Sequence, residues 1–438
     1  MKIRFALLVM LAALLALSGC SLELKSVETL MRPPLTATER ELEKSIDGIL
    51  GNNISLRSPT SGSYHSAITL HDLDGDKNDE AIIFYVNNND VAVIRMCVLK
   101  KNSNGWQSVS DFAGNGSGVY SVDFYDLNKD GSDDMLVSWY LFDDKVNKVL
   151  TVYSSSRKGK EVKFSACATE PYNYLCVADV FSTGEKQLVL TYTDTAKKTE
   201  KTHIRLMSLN ADNRVVLLAE TPLDDRIISI TSVSADKRDV SYGTRIFVDA
   251  LVRDNQLITE ILIFDSDKKS FITQIPASNQ YDRLVTARSS NLYSYDIDSD
   301  GVIEIPRREA LGKNKNADTS SGYMLVWYDY KKGTFVKERS YIVNVRYNYR
   351  IYVPEELSGA LSVKSENKNS VWRFLDEAGK ELFSVTVYSI EEWNTNPSAS
   401  SQVLLTSADK VYVCQTQPEL GYYGITQTDI ARYFSLNG

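Results

Sequence analysis

The feature that most constrains the fold is a nine-residue acidic segment that recurs along the chain. Three copies align without gaps, at residues 72–80, 126–134 and 296–304, and a degenerate fourth copy begins at Asp179. The starts at Asp72, Asp126 and Asp179 are 54 and 53 residues apart, and the next interval, to Asp296, is 117 residues. That interval holds about two further periods, so a repeat architecture is indicated. Residues 232–239 are the candidate for the copy whose acidic pattern is lost.

The chain between these segments is typical of short β-strands. Alternating or continuous apolar stretches are separated by clusters of Asn, Asp, Gly, Ser and Lys, which favour turns. The clearest stretches are residues 81–86, 91–99, 135–140, 187–192, 245–252 and 258–264. About four strands in a period of about 55 residues match one blade of a β-propeller. We therefore predict a mainly β protein with a β-propeller of about five to seven blades over residues 51–344.

Each acidic segment has the donor atoms of a calcium site. Five positions of the segment supply oxygens around one turn: the side chains of the first, third, fifth and ninth, and the backbone carbonyl of the seventh. Calcium takes six to eight oxygens. The predicted ligands are Asp72, Asp74, Asp76, Asn78 and Glu80; Asp126, Asn128, Asp130, Ser132 and Asp134; and Asp296, Asp298, Asp300, Val302 and Glu304.

An EF-hand loop is the first rival to this interpretation. It requires a glutamate at position 12 and flanking helices, whereas position 12 is Ile83, Val137 and Arg307 here. The spacing instead resembles the calcium loops of FG-GAP and VCBS propeller repeats, as in integrin α-subunits. The resemblance covers three strong loops and one eroded loop, and it implies a propeller with acidic calcium loops.

Two departures from that repeat pattern bear on calcium binding. Lys77 stands where glycine is expected at the sixth position, and the loop at Asp179 keeps only its first carboxylate. We expect the second segment, with Gly131 and a full ligand set, to contribute most and the Asp179 loop to bind nothing. The alternative is that all the loops are solvated Asp/Asn turns without metal. Any calcium is expected to be structural, because an ion between strands fixes a turn.

The N-terminus has the order of a secretory signal. Lys2 and Arg4 precede an apolar run of 13 residues and then Ser18 and Gly19, and a run of that length is short of the roughly 20 residues that span a membrane. Residues 17–20, Leu-Ser-Gly-Cys, resemble the lipobox of bacterial lipoproteins. We predict a signal peptide at residues 1–19 and a lipid anchor on Cys20 that holds the protein at the cell membrane, facing the extracytoplasmic side. An ordinary signal with an incidental cysteine is the alternative.

The segments that flank the repeats differ from them. Residues 20–50 are predicted to be a tether and a short helix that carries Leu42, Ile46 and Ile49 on one face and ends near Gly48 and Gly51. Residues 345–438 are predicted to form a small α+β module. Its strand candidates are residues 360–363, 371–375, 381–388, 403–406 and 410–415, before a terminal helix that opens near Thr426.

Two kinds of side chain in the chain leave alternatives open. Trp372 and Trp393 are interpreted as core residues, with ligand stacking as the alternative. Cys167 and Cys176 are close enough in sequence for a disulfide, and buried free thiols are the other possibility.

Composition and motifs bear on the class of function. The formal net charge of −8 becomes −10 when Lys2 and Arg4 leave with the signal peptide, and an acidic surface disfavours nucleic acid as a partner. The chain has three histidines and lacks the common metalloprotease, serine hydrolase and P-loop motifs. We predict a non-enzymatic envelope lipoprotein that binds or scaffolds a protein or glycan. An envelope polysaccharide hydrolase or lyase that uses acidic residues is the alternative.

Overall fold

The computed structural model describes residues 37–141, 144–158, 161–194, 201–236, 243–275, 286–289, 291–309, 322–358, 361–395, 397 and 401–436. The predicted signal peptide, Cys20 and the tether up to residue 36 lie outside the described residues. No helix in this part of the chain is both long enough and apolar enough to cross a membrane.

The described chain is mainly β, as predicted, and its strands form six antiparallel sheets in chain order. Sheet 1 contains β1 (Ile54–Leu56), β2 (Ile68–His71), β3 (Glu80–Asn87), β4 (Asp90–Asn102) and β5 (Gly105–Ala113). Sheet 2 contains β6 (Gly118–Tyr125), β7 (Asp134–Leu141), β8 (Asp144–Lys158) and β9 (Glu161–Tyr172). Sheet 3 contains β10 (Tyr174–Ala178), β11 (Gln187–Asp194), β12 (Lys201–Leu209) and β13 (Val215–Pro222).

The remaining three sheets follow the same antiparallel plan. Sheet 4 contains β14 (Ser229–Ala235), β15 (Ile246–Val252), β16 (Gln256–Asp265), β17 (Ser270–Thr273) and β18 (Arg288–Ser289). Sheet 5 begins with β19 (Ile305–Glu309), β20 (Gly322–Lys331), β21 (Thr334–Asn344) and β22 (Tyr349–Tyr352). Sheet 6 contains β23 (Ser362–Glu366), β24 (Val371–Leu375), β25 (Glu381–Ser389), β26 (Gln402–Thr406) and β27 (Lys410–Thr416).

Consecutive sheets pack face to face through apolar side chains. Sheets 1 and 2 share a core in which the rings of Phe84 and Trp139 lie 6.0 Å apart. One further core joins each of the next pairs of sheets up to sheets 5 and 6. Strands covered on both faces have nearly continuous apolar sequences. This explains the apolar run at residues 81–86 of β3 and the runs of β7 and β15, which are interrupted by Ser138 and Asp249.

The N-terminal helix α1 (Ala37–Leu50) covers the face of sheet 1 that is turned away from sheet 2. Leu42 and Ile46 pack there against Ile83 and Trp106, and each fully buried aliphatic side chain stabilises the contact by roughly 1.5–3 kcal/mol. The predicted helix is confirmed, but Gly48 lies inside it. Gly51 follows its last residue with φ of +82°, the left-handed conformation in which helices often end at glycine.

The C-terminal segment shares its core with the sheet before it. Sheet 5 continues past residue 344, because β22 pairs with β21. The boundary predicted between residues 344 and 345 therefore falls between two strands of one sheet. Helices α2 (Ile390–Thr395) and α3 (Gln427–Tyr433) follow, and β28 (Phe434–Leu436) then pairs with β22. Trp372, predicted to be a core residue, is buried between sheets 5 and 6.

Candidate functional site

The acidic segments form loops that precede equivalent strands of four sheets. Loop 1 (residues 72–80), loop 2 (126–134) and loop 3 (179–187) join the β2–β3, β6–β7 and β10–β11 pairs. Loop 4 (296–304) ends at Glu304, which pairs with Tyr295 just before the loop, and β19 follows it. The degenerate copy at Asp179 is thus a structural repeat of the other three.

The first carboxylate of every loop accepts hydrogen bonds from the same two backbone N–H groups. The N–H groups of the fifth and sixth residues donate to its two oxygens and close the turn, as Asp side chains do in many turns. The pairs are Asp76 and Lys77 on Asp72, Asp130 and Gly131 on Asp126, Thr183 and Gly184 on Asp179, and Asp300 and Gly301 on Asp296. This pattern stabilises the turn without any metal, and it is present in loop 3, which lacks acidic residues at the third, fifth and ninth positions.

The ninth side chain of every loop is buried and accepts the N–H of the second residue. The acceptors are Glu80, Asp134, Gln187 and Glu304, at distances of 2.9, 3.0, 2.8 and 3.0 Å. Gln187 makes this bond with an amide oxygen, so the bond does not require a carboxylate. The ninth residue therefore has a structural role in all four loops, which the sequence interpretation, centred on metal ligation, did not identify.

Lys77 does not distort loop 1. It adopts φ of +70°, close to the +85° of Gly131 and +88° of Gly301 at the same position. A left-handed conformation costs a residue with a Cβ roughly 1–2 kcal/mol. The departure from glycine therefore affects stability and leaves the backbone path of the loop unchanged.

Loop 1 already holds a cationic group. The ammonium of Lys100, on β4, lies 2.7 Å from Asp74 Oδ2, 2.8 Å from Asp76 Oδ2 and 2.6 Å from Glu80 Oε1. Burial alone would lower the pKa of Lys100, but its hydrogen bonds to the three carboxylates raise that pKa above its ordinary value. Three of the five predicted ligands of loop 1 are thus brought together around this lysine.

Loop 4 gathers three carboxylates without a lysine among them. Oxygens of Asp296, Asp298 and Asp300 all lie within 4.8 Å of one another. Arg339 approaches from one side, with its Nη2 atom 3.0 Å from Asp298 Oδ2. Burial raises the pKa of Glu304 to about 7. Loop 4 thus groups three carboxylates, one of which is paired with an arginine.

Loop 2 is less well assembled for a cation than its sequence predicts. Within the described residues, groups of three carboxylates with oxygens within 4.8 Å of one another occur in loops 1 and 4 but not in loop 2. The amide nitrogen of Asn128 donates to Asp130 Oδ2 at 3.1 Å and to Asn213 Oδ1 at 2.7 Å. Burial raises the pKa of Asp134 to about 6. The carboxylates of loop 4 are thus grouped more closely than those of loop 2.

Loop 2 contacts both loop 1 and loop 3. The N–H of Asp133 donates to the carbonyl of Leu73 at 3.0 Å, and the Asp133 carboxylate lies 2.7 Å from His71 Nε2. Loop 2 reaches loop 3 through Lys129, whose ammonium donates to the carbonyl of Thr183 at 3.0 Å. The eighth position, which carries Asp133, therefore joins two loops. No signal in the sequence pointed to its partner.

Sheet 4 carries the repeat whose acidic pattern is lost. Asp236 follows β14 as Asp72 follows β2, and Ala235 pairs with Ile246 as His71 pairs with Glu80. The next residues, 237–242, lie outside the described part of the chain. Asp236 binds the guanidinium of Arg245, and its other oxygen accepts the N–H of Ile303 in loop 4 at 2.8 Å. The carboxylate at this position thus pairs with an arginine.

No protein-family model matches the chain, and no curated protein matches it at a significant level. A crystal structure of Sqt1 from Chaetomium thermophilum has a TM-score of 0.33 and 10% identity, covering 75% of this chain and 90% of that chain. A second crystal structure of the Chaetomium thermophilum Sqt1 has a TM-score of 0.32 and 11% identity, with the same coverage.

Proposed function

We propose that this protein is a lipid-anchored envelope protein whose repeated sheets form a calcium-stabilised propeller that binds a protein or a glycan. The observation that carries the proposal is the recurrence of one hydrogen-bonded loop before equivalent strands of sheets 1, 2, 3 and 5. Repeated antiparallel sheets that pack in chain order are the construction of a propeller. Such a scaffold offers a broad rigid surface, and the proposed role of that surface is to bind the partner.

Calcium is proposed for loop 4. Asp296, Asp298, Asp300, Glu304 and the carbonyl of Val302 would hold it, and the three grouped aspartates support this assignment. Three carboxylates at this spacing repel one another, and a bound divalent cation would remove that repulsion. The ion is proposed to be structural, as it would fix the turn that leads into β19.

The test of calcium binding is a melting curve of the purified mature protein with 1–5 mM calcium and with chelator. At a tenfold excess over the dissociation constant, one site stabilises the fold by about 1.4 kcal/mol, and a chain of this size should gain about 1–3 °C. Asp300→Asn should remove most of the gain. Asp179→Asn is the matched control: it weakens loop 3 but should leave the calcium response intact. A melting temperature that ignores both calcium and chelator would remove calcium from the proposal.

The lipid anchor is tested separately, because it rests on residues 17–20 alone. Cys20→Ala should release the protein from the membrane fraction or stop its maturation, while Cys167→Ala should not. Mass spectrometry of the N-terminal peptide should show an acylated Cys20. Detergent partitioning of the Cys20→Ala protein with a normal acyl mass would refute the anchor and leave the calcium proposal unaffected.

The proposed ligand surface is a polar groove on sheet 6. The groove has a volume of about 730 Å³, and its lining includes Tyr347, Arg373, Tyr388, Glu392, Lys410 and Gln415. Along β24 and β25, groove-lining residues such as Arg373 and Ser384 alternate with Trp372 and Phe383 of the core. A groove that mixes charged groups with tyrosine rings has the chemistry to bind sugar hydroxyl groups.

This part of the proposal is tested with immobilised envelope polysaccharides and the purified protein. We expect Tyr388→Ala to weaken the binding at least tenfold, because it removes a ring from the groove. Tyr422→Ala, at an exposed tyrosine outside the groove lining, is the control and should bind normally. Equal binding by both variants would exclude the groove as the ligand site.

A further inference from the structure

We propose that Lys100 takes the place of a metal ion in loop 1, so that this loop is closed by an internal ammonium group and does not bind calcium. The inference concerns loop 1 only. It stands apart from the proposed calcium site in loop 4, because each loop has its own side chains and its own test.

The geometry of Lys100 is that of a bound cation. Its Nζ atom lies 2.6–2.8 Å from one oxygen each of Asp74, Asp76 and Glu80. An ammonium group has three N–H donors, so these three acceptors use all of them. The side chains of Asp74 and Glu80 are 1% and 0% exposed. A paired cation stabilises the charged form of carboxylates buried to this degree, and Lys100 supplies it.

Asp72, the fourth carboxylate of the loop, makes the same backbone bonds as the first carboxylate of the other loops. Both oxygens of Asp72 accept backbone N–H groups, from Asp76 at 3.1 Å and from Lys77 at 2.8 Å. The second oxygen of Glu80 accepts the N–H of Leu73 at 2.9 Å. What distinguishes loop 1 is the ammonium of Lys100. A calcium ion at these carboxylates would have to displace it and leave it beside a second positive charge.

Strand register explains why this occurs in loop 1 and not in the other described loops. Lys100 follows Leu99, the partner of Ala81, and thus stands opposite Glu80. By the same rule, Ser154 stands opposite Asp134, Ser208 opposite Gln187 and Asp329 opposite Glu304. Of these four equivalent positions, the one in sheet 1 carries a basic residue. In sheet 1 the residue opposite the ninth position thus supplies an ammonium to three carboxylates of the loop, whereas at loop 4 Arg339 pairs with Asp298.

The deciding experiment exchanges the residue at this position. Lys100→Ser installs the serine that sheet 2 carries, and calcium binding to the mature protein is measured by isothermal titration calorimetry. We expect one additional calcium per chain relative to the wild type, and Lys100→Ser combined with Asp76→Asn should lose it again. Lys101→Ser is the matched control. Lys101 pairs with Glu41 on α1 at 2.8 Å, and its loss should leave the stoichiometry unchanged.

A second arm does not depend on how well the Lys100→Ser variant folds. Asp76→Asn in the wild-type background should leave the calcium stoichiometry unaltered, because loop 1 binds none. A loss of one calcium in that variant would overturn the inference, as would a Lys100→Ser protein that folds and gains no calcium. A wild type that binds no calcium at all would refute the loop 4 proposal. The Lys100 inference would then be decided by whether Lys100→Ser gains one calcium.

Discussion

Gly75 of loop 1 lies directly against the backbone carbonyl of Gly131 in loop 2, so closely that a Cβ atom on Gly75 would overlap the carbonyl oxygen. Both glycines have positive φ, of +70° and +85°. The space beside Gly131, in contrast, is open. The two loops therefore require glycine for different reasons. Gly131 is required for its backbone conformation alone, and Gly75 also for the close approach of loop 2.

This difference predicts unequal costs for two alanine substitutions. Gly131→Ala should lower the free energy of unfolding by about 1–2 kcal/mol, from backbone strain. Gly75→Ala should lower it by about 2–5 kcal/mol, because overpacking against a backbone atom adds to the same strain. Urea denaturation followed by circular dichroism measures both. Equal losses would show that the contact between the loops is not constraining.

The tryptophans of the C-terminal segment should differ in the same kind of measurement. Trp372 is 1% exposed in the core that sheets 5 and 6 share, and Gly322 of β20 packs against its ring. Trp372→Ala should cost about 3–5 kcal/mol. Trp393 is half-buried and contacts Tyr388, with ring centroids 5.5 Å apart. Trp393→Ala should cost less than half as much, and a similar loss in both variants would contradict the shared core.

The cysteines are expected to be unreactive free thiols. Cys97, Cys167, Cys176 and Cys414 are free in the structure. Burial raises the pKa of the Cys97 thiol to about 11 and that of Cys414 to about 12. At pH 8 the thiolate fraction of Cys97 is then on the order of one in a thousand, and the thiolate is the reactive form.

A thiol titration at pH 8 checks this expectation. Native protein should react slowly, and its rate should rise as the pH is raised toward 11, because more thiolate forms. In urea without reductant, four thiols besides Cys20 should react quickly. Two reactive thiols in urea would instead indicate a disulfide between Cys167 and Cys176.

Local features could be predicted from the sequence because the atoms that decide them are neighbours in the chain. The acidic loops bond within nine residues, so the spacing of Asp126 and Asp134 suffices to place the turn. The terminal helix begins as predicted, since Thr426 and Asp429 form a capping box over three residues. The strands were recognisable from their apolar runs, and the mainly β class followed from them.

Pairing between distant segments was decided by the tertiary structure alone. Lys100 lies 20 residues beyond Glu80, and only the register of β3 against β4 brings it into loop 1. The last strand of sheet 5 is added in the same way, because β28 pairs with β22, which lies more than 80 residues before it in the chain. Composition and spacing determined which loops carry carboxylates. Which of those carboxylates already have a cation was determined by strand register, because register sets which side chains stand opposite one another across a sheet.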